Sequence, residues 1–252
     1  MVDTGAGEAG GSASAMYAEY RRNHRRRWRW LSRSLLLVGV SLVLVGAVLM
    51  GPLTIKELIG FFLYMAGFVS VVLWGVVRDP PEWVENYQEG AEGERNTAKQ
   101  LDALPEGWHV RHDVTGWGGV MGNLDHVVVG PRGVFLLDSK HWRNETVRVV
   151  DGRVTVGRTA EPGHKAWDAS TQVKRAFSQA MDVRDRIKTT TKYSEFVTAV
   201  MVVWADPSPD LPAEVGNVSL VPGADLAEWL QAAGRPMHPL QVDRVWEALR
   251  EG

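Results

Sequence analysis

Two apolar runs, Leu35 to Leu53 and Leu58 to Val77, stand out from the rest of the chain. Each is about the roughly 20 residues that a helix needs to cross the hydrocarbon core, and neither contains a charge. Gly51-Pro-Leu-Thr-Ile-Lys-Glu57 joins them, which predicts a transmembrane helical hairpin over 34–78. Beyond it the period changes. Ala91, Glu94, Ala98, Leu101 and Leu104 recur at helical spacing and predict a helix from about Glu89 to Leu104. Short strands follow at Trp108–Val114, Leu124–Gly130 and Val134–Lys140, then a hairpin of Thr146–Val150 and Arg153–Val156 turning at Asp151-Gly152. A helix from about Lys165 to Lys188 carries the stripe Ala169, Val173, Ala176, Phe177, Ala180, Val183 and Ile187. Strands at Phe196–Trp204 and Val218–Val221 and helices at about Ala224–Ala233 and Pro239–Arg250 finish the chain. The order predicts an α/β fold, a mixed sheet covered by helices.

Four segments result. Residues 1–33 are small and polar, then basic, and are expected to be disordered; 34–78 form the membrane hairpin; 79–88, opened by Asp79-Pro-Pro-Glu82, are a linker; 89–252 are the globular domain. Charge sharpens the division. Residues 1–33 hold seven arginines against Asp3, Glu8 and Glu19, whereas 79–252 carry an acidic excess that brings the whole chain to -2. Under the positive-inside rule the arginines stay cytoplasmic, and two spans return the chain to the same side. The expectation is an integral membrane protein of the cell membrane with both termini and the C-terminal domain cytoplasmic. The acidic domain lacks the basic footprint usual in nonspecific nucleic-acid binders. The chain has no cysteine, which excludes disulfides and Cys-ligated zinc.

Chemistry concentrates in Asn123-Leu-Asp125-His-Val-Val-Val-Gly-Pro-Arg-Gly-Val-Phe-Leu-Leu-Asp138-Ser-Lys140. If Pro131 and Arg132 are the loop residues, Asp125 lies opposite Asp138, and such opposed Cβ atoms are about 4.5–5.5 Å apart. Two carboxylates at that spacing repel unless a cation lies between them. Lys140 projects from the same face as Asp138. A bulge at Gly133 would shift the pairing and bring His126 opposite Asp138 instead, so the register stays open. Glu94 points inward from its stripe, and a carboxylate there must be paired, protonated or metal-bound; its other account is a charge complementing the helix N-terminus. Hard oxygen donors suit Mg²⁺ or Mn²⁺.

Gly93-Glu94 at the helix, Leu124-Asp125-His126-Val-Val-Val and Gly133-Val-Phe-Leu-Leu-Asp138-Ser-Lys140 together resemble the nuclease-related (NERD) domain. That family is grouped with the PD-(D/E)xK nucleases of restriction-endonuclease-like fold. The resemblance covers roughly residues 88–204. It implies that Asp125, Asp138 and Glu94 are metal ligands, that Lys140 is the catalytic lysine, and that Gln172 accompanies the site. It implies a divalent-metal-dependent nuclease acting on DNA more readily than RNA. Asp138 stands where the family usually has glutamate, and Asp168-Ala-Ser-Thr precedes Gln172 where it often has Asn-Pro. The alternative function is a catalytically inactive, membrane-tethered module that binds nucleic acid or protein and keeps the nuclease fold. His112, His141, His164, Trp117, Trp142, Lys174 and Arg175 are weaker candidates, each with an ordinary structural account.

Overall fold

The structure is a computed structural model that describes residues 3–4, 8–50, 54–77, 82–115, 122–157, 166–207 and 211–250. Its elements are β1 (Asp3–Thr4), α1 (Gly11–Met50), α2 (Ile55–Val77), α3 (Glu82–Leu101), β2 (His109–Val114), β3 (Leu124–Gly130), β4 (Gly133–Val150), β5 (Arg153–Gly157), β6 (Trp167–Asp168), α4 (Ser170–Thr191), β7 (Val197–Pro207), β8 (Glu214–Val215), β9 (Val218–Pro222), α5 (Leu226–Ala232) and α6 (Pro239–Arg250). They fall into two compact units, Met1–Ser14 with Gln88–Gly252, and Ala15–Tyr87.

The first unit is a mixed sheet in the order β1-β2-β3-β4-β7-β9-β8, with β5 on the far half of β4 and β6 on β5. β3 pairs antiparallel with β2 and β4, while β4, β7 and β9 run parallel. The long valine-rich strands are buried on both faces, as central strands must be. One face packs Val127, Val129, Val134 and Leu136 under Val173, Ala176, Ala180 and Val183 of α4 and Val242 and Val245 of α6. The other packs Val128, Phe135 and Leu137 under Leu101 of α3 and Leu226 and Leu230 of α5. The α/β expectation holds.

The β3–β4 register resolves the alternative left open by Pro131. Gly130 pairs with Gly133, Val129 with Val134 and His126 with Leu137, so the strands zip without a bulge. Gly133 takes φ 128°, a conformation that L side chains rarely adopt, and so absorbs the geometry that Pro131 cannot. Asp125 and Asp138 are the next residues in this register.

Several boundaries differ from expectation: Val134–Lys140 and Thr146–Val150 are one strand, β4, and α4 begins at Ser170 rather than near Lys165. α3 begins at Glu82, inside the expected linker, so Glu94 lies mid-helix and not in a first turn. The N-terminal segment is also ordered into the first unit: Asp3 and Thr4 pair with His109 and Val110 of β2, and α1 starts at Gly11. Gly10 lets backbone approach closely, against Ala91.

The membrane hairpin is corrected. Among the described residues no helix is long and apolar enough to cross a membrane. α1 spends its first half on arginines and α2 opens with Lys56 and Glu57. The two-span hairpin, the membrane as a partner and the integral-membrane localisation with cytoplasmic termini are therefore unsupported.

Candidate functional site

Asp125, Asp138 and Lys140 come together on the α4-facing side of the sheet, where β3 begins and β4 runs on toward β5. The unbulged register places the two aspartates on one face, and Lys140 follows Asp138 by one pleat. The Ser139 backbone N–H donates to Asp125 Oδ2 at 2.8 Å, and Lys140 Nζ pairs with Asp138 Oδ1 at 2.5 Å. Burial, the Asp138 charge and the Glu94 charge push the Asp125 carboxyl up to about 8, against the pull of Lys140 and the Ser139 N–H. Burial alone would lower the Lys140 ammonium, but Asp138 and Asp125 outweigh it and hold the group above its ordinary value. Lys140 is therefore a firm cation, and Asp125 is the acid short of compensating charge.

Glu94 enters from α3. It is 8% exposed, and its Oε2 accepts the Gly10 N–H at 2.8 Å. Burial raises its pKa, with Asp113 and Asp138 adding to the rise and Gly10 and Lys140 opposing it. Its helix-N-terminus role is overturned in its own helix; the amide it meets precedes α1. Gln172 lies in the first turn of α4, where its Oε1 is buried with no hydrogen-bond partner among the described residues.

Three residues near the site escaped sequence reasoning. Gln179, also on α4 and buried, donates from Nε2 to the Asn123 carbonyl at 3.3 Å, just before β3. It was detectable by the logic used for Glu94, as a polar residue on the apolar stripe between Ala176 and Val183. Asp113 ends β2 in a left-handed conformation (φ 48°), accepts from Asn123 Nδ2 and adds to the field on Glu94. Ser139 carries two jobs that its small size concealed. Its backbone holds Asp125, and its hydroxyl donates at 2.8 Å to Thr97 Oγ1 of α3, which also accepts the Trp204 indole N–H at 2.9 Å.

The weaker candidates scatter. His112 and His126 pair across β2 and β3 with Nδ1 atoms 2.7 Å apart, and burial lowers the pKa of both. That favours a neutral, structural pair. His141 Nδ1 stands 3.8 Å from Glu92 Oε2. Arg175 reaches the hairpin end: a Cβ added to Gly122 would lie 2.6 Å from its guanidinium. Trp117 and His164 lie outside the described residues.

The family profile of the nuclease-related domain matches residues 89–203. Those residues are similar to the NERD domain. The match begins in α3, before Glu94, and ends within β7, so it contains Asp125, Asp138, Lys140 and Gln172. It is consistent with the restriction-endonuclease-like superfamily, and it suggests a nuclease-related function. Comparison with curated proteins and with solved structures returns no match. Within the matched residues, no three or more His, Asp or Glu side chains among the described residues form a group suited to holding a metal ion.

Proposed function

We propose that this NERD-like domain hydrolyses phosphodiester bonds of nucleic acid, DNA before RNA, with a divalent cation. The observation that carries the reading is the charge balance at the hairpin end: Asp125 and Asp138 share one face, and Asp125 is destabilised as an anion although Lys140 is close. Such a pair fits Mg²⁺ or Mn²⁺. Magnesium usually keeps several waters and takes one or two protein carboxylates, so a third protein acid is not required. Asp125 and Asp138 would hold the cation, which supplies acidity to a water and positive charge against the phosphate. Glu94 would act through its field from the α3 side. Lys140, held charged by Asp138, would orient the water or the scissile phosphate. Gln179 is better placed than Gln172 to fix the start of β3.

A second reading, a binding module that keeps the fold without cleaving, is favoured by one observation. Asp138 spends an oxygen on Lys140, and the described residues offer no ready group of three metal-binding side chains. Nicking of supercoiled plasmid by the full chain, with Mg²⁺, Mn²⁺ or EDTA, separates the two. Nicking that needs the metal and disappears in Asp138→Asn and Lys140→Ala supports the nuclease. Equal nicking by wild type and both variants, or none by wild type, rejects it.

A further inference from the structure

Lys140 is followed two residues later on β4 by Trp142, which packs against the α4-side core. Trp142 meets Trp167 of β6 in a T-shaped contact, ring centroids 5.8 Å apart at 87°. Trp167 is 39% exposed, one ring beyond the Asp138–Lys140 pair. β6 is tied to β5 by the pairs Trp167–Val156 and Asp168–Thr155, and the Ala169 N–H donates to the Val154 carbonyl at 2.8 Å. The Trp167 backbone is thus fixed while its ring meets solvent.

Cations act on the residue that follows Trp167, Asp168. α4 starts three residues after Trp167, and its second turn presents Lys174 and Arg175, both exposed. Arg175 leans to Gly122 at the hairpin end and its charge is felt at Lys140. Arg153 of β5 is exposed, and its charge and that of Lys174 both act on Asp168. The Asp168 carboxylate itself accepts the Ser170 N–H at 2.8 Å. An exposed indole with cations on the same side of the domain is the pairing used to hold unpaired bases and their phosphates, because every base has a π-face. The acidity of the domain as a whole does not describe this side of it.

We propose that Trp167 is a base-stacking platform for a single-stranded segment of nucleic acid, whose phosphates pass over Lys174 and Arg175 toward Lys140. The proposal rests on the nuclease reading only for what happens at Lys140. A base buried in a duplex stack has no free face for the indole, so the substrate class is single-stranded or frayed.

Binding of the full chain to fluorescein-labelled oligothymidylate, and to a duplex of equal length, measured by anisotropy in EDTA tests this without cleavage. Wild type is expected to prefer the single strand. Trp167→Ala is expected to weaken single-strand binding about tenfold and Trp167→Phe to restore most of it, with thermal melting confirming that both variants fold. Lys174→Ala with Arg175→Ala is expected to weaken both nucleic acids and lower the salt slope by about one to two. Wild-type single-strand affinity in Trp167→Ala, or equal losses on single strand and duplex, would overturn the platform. Metal-dependent nicking that survives such a result leaves the nuclease reading standing alone. A Trp167 effect in a protein that never nicks leaves the platform standing alone.

Discussion

The two faces of the β3–β4 hairpin handle buried polar groups in opposite ways. On the α3 side, Thr97, Ser139, Trp204 and the His112–His126 pair are neutral and hydrogen-bonded to one another. On the α4 side, within one residue along the same strands, Asp125, Asp138 and Lys140 are ionisable, and the acids outnumber the cation. A neutral network fastens a helix to a sheet. An unbalanced charge cluster is costly to the fold and makes sense where a ligand completes it. The difference teaches which side to perturb for stability and which for chemistry, and Ser139 belongs to both.

The sharpest way to break this comparison is by activity. Asp138→Asn and Lys140→Ala are expected to lower metal-dependent nicking by roughly 100-fold or more, whereas Thr97→Val is expected to keep the rate per folded molecule, with plasmid nicking as the measurement. If Thr97→Val proves as inactive as Asp138→Asn while remaining folded, the two faces are not separable.

Next comes stability against pH. The Asp125 carboxyl is raised from 3.8 to about 8. The folded state then binds more protons than the unfolded one across that window, so this group removes stability as pH rises through it. Asp125→Asn, whose amide oxygen still accepts the Ser139 N–H, is expected to raise the Tm by roughly 5 °C at pH 8 in EDTA. The gain should vanish below pH 4. Mn²⁺ is expected to raise the wild-type Tm at pH 8 and to leave the variant unmoved. A variant no more stable than wild type at pH 8 would mean that the acid is not held under tension.

On the neutral face, Thr97→Val removes the acceptor for the Ser139 hydroxyl and the Trp204 indole. The expected loss is about 2 kcal/mol, read from the urea midpoint. The smallest effect belongs to the histidines. Their folded pKa values lie below the ordinary 6.5, so the stability they contribute is present above that value and is lost as pH falls through it. A fall of about 1 kcal/mol between pH 7 and 5.5 in wild type, flattened in His112→Leu, would place this pair with the structural network.

The hairpin was legible because two apolar runs flank a Gly-Pro-Arg-Gly turn, but the possible bulge at Gly133 left the register open, and only the strand pairing puts Asp125 opposite Asp138. Glu94 was legible as a polar interruption of an apolar stripe. Gln179 interrupts another stripe in the same way, but the family pattern drew attention to Gln172. Asp113 reaches the site through a left-handed strand end, which no periodicity announces. The N-terminal segment was the least legible part. Gly10 acts through its backbone N–H, a group that every residue but proline carries, so composition cannot mark it. The membrane expectation shows the converse weakness: a hydropathy run can be read without the charges on the helix that contains it.

The Gly10–Glu94 contact has a practical consequence. The first compact unit is not contiguous in the chain: residues 1–14 belong to the unit that resumes at Gln88. A fragment trimmed to the family boundaries at 89–203 would lose α5 and α6, and also the amide that meets the buried Glu94 carboxylate. Bulky N-terminal extensions would load the same joint from the other direction. Gly10 therefore has to be kept with the unit that holds Glu94 when a shorter fragment is designed.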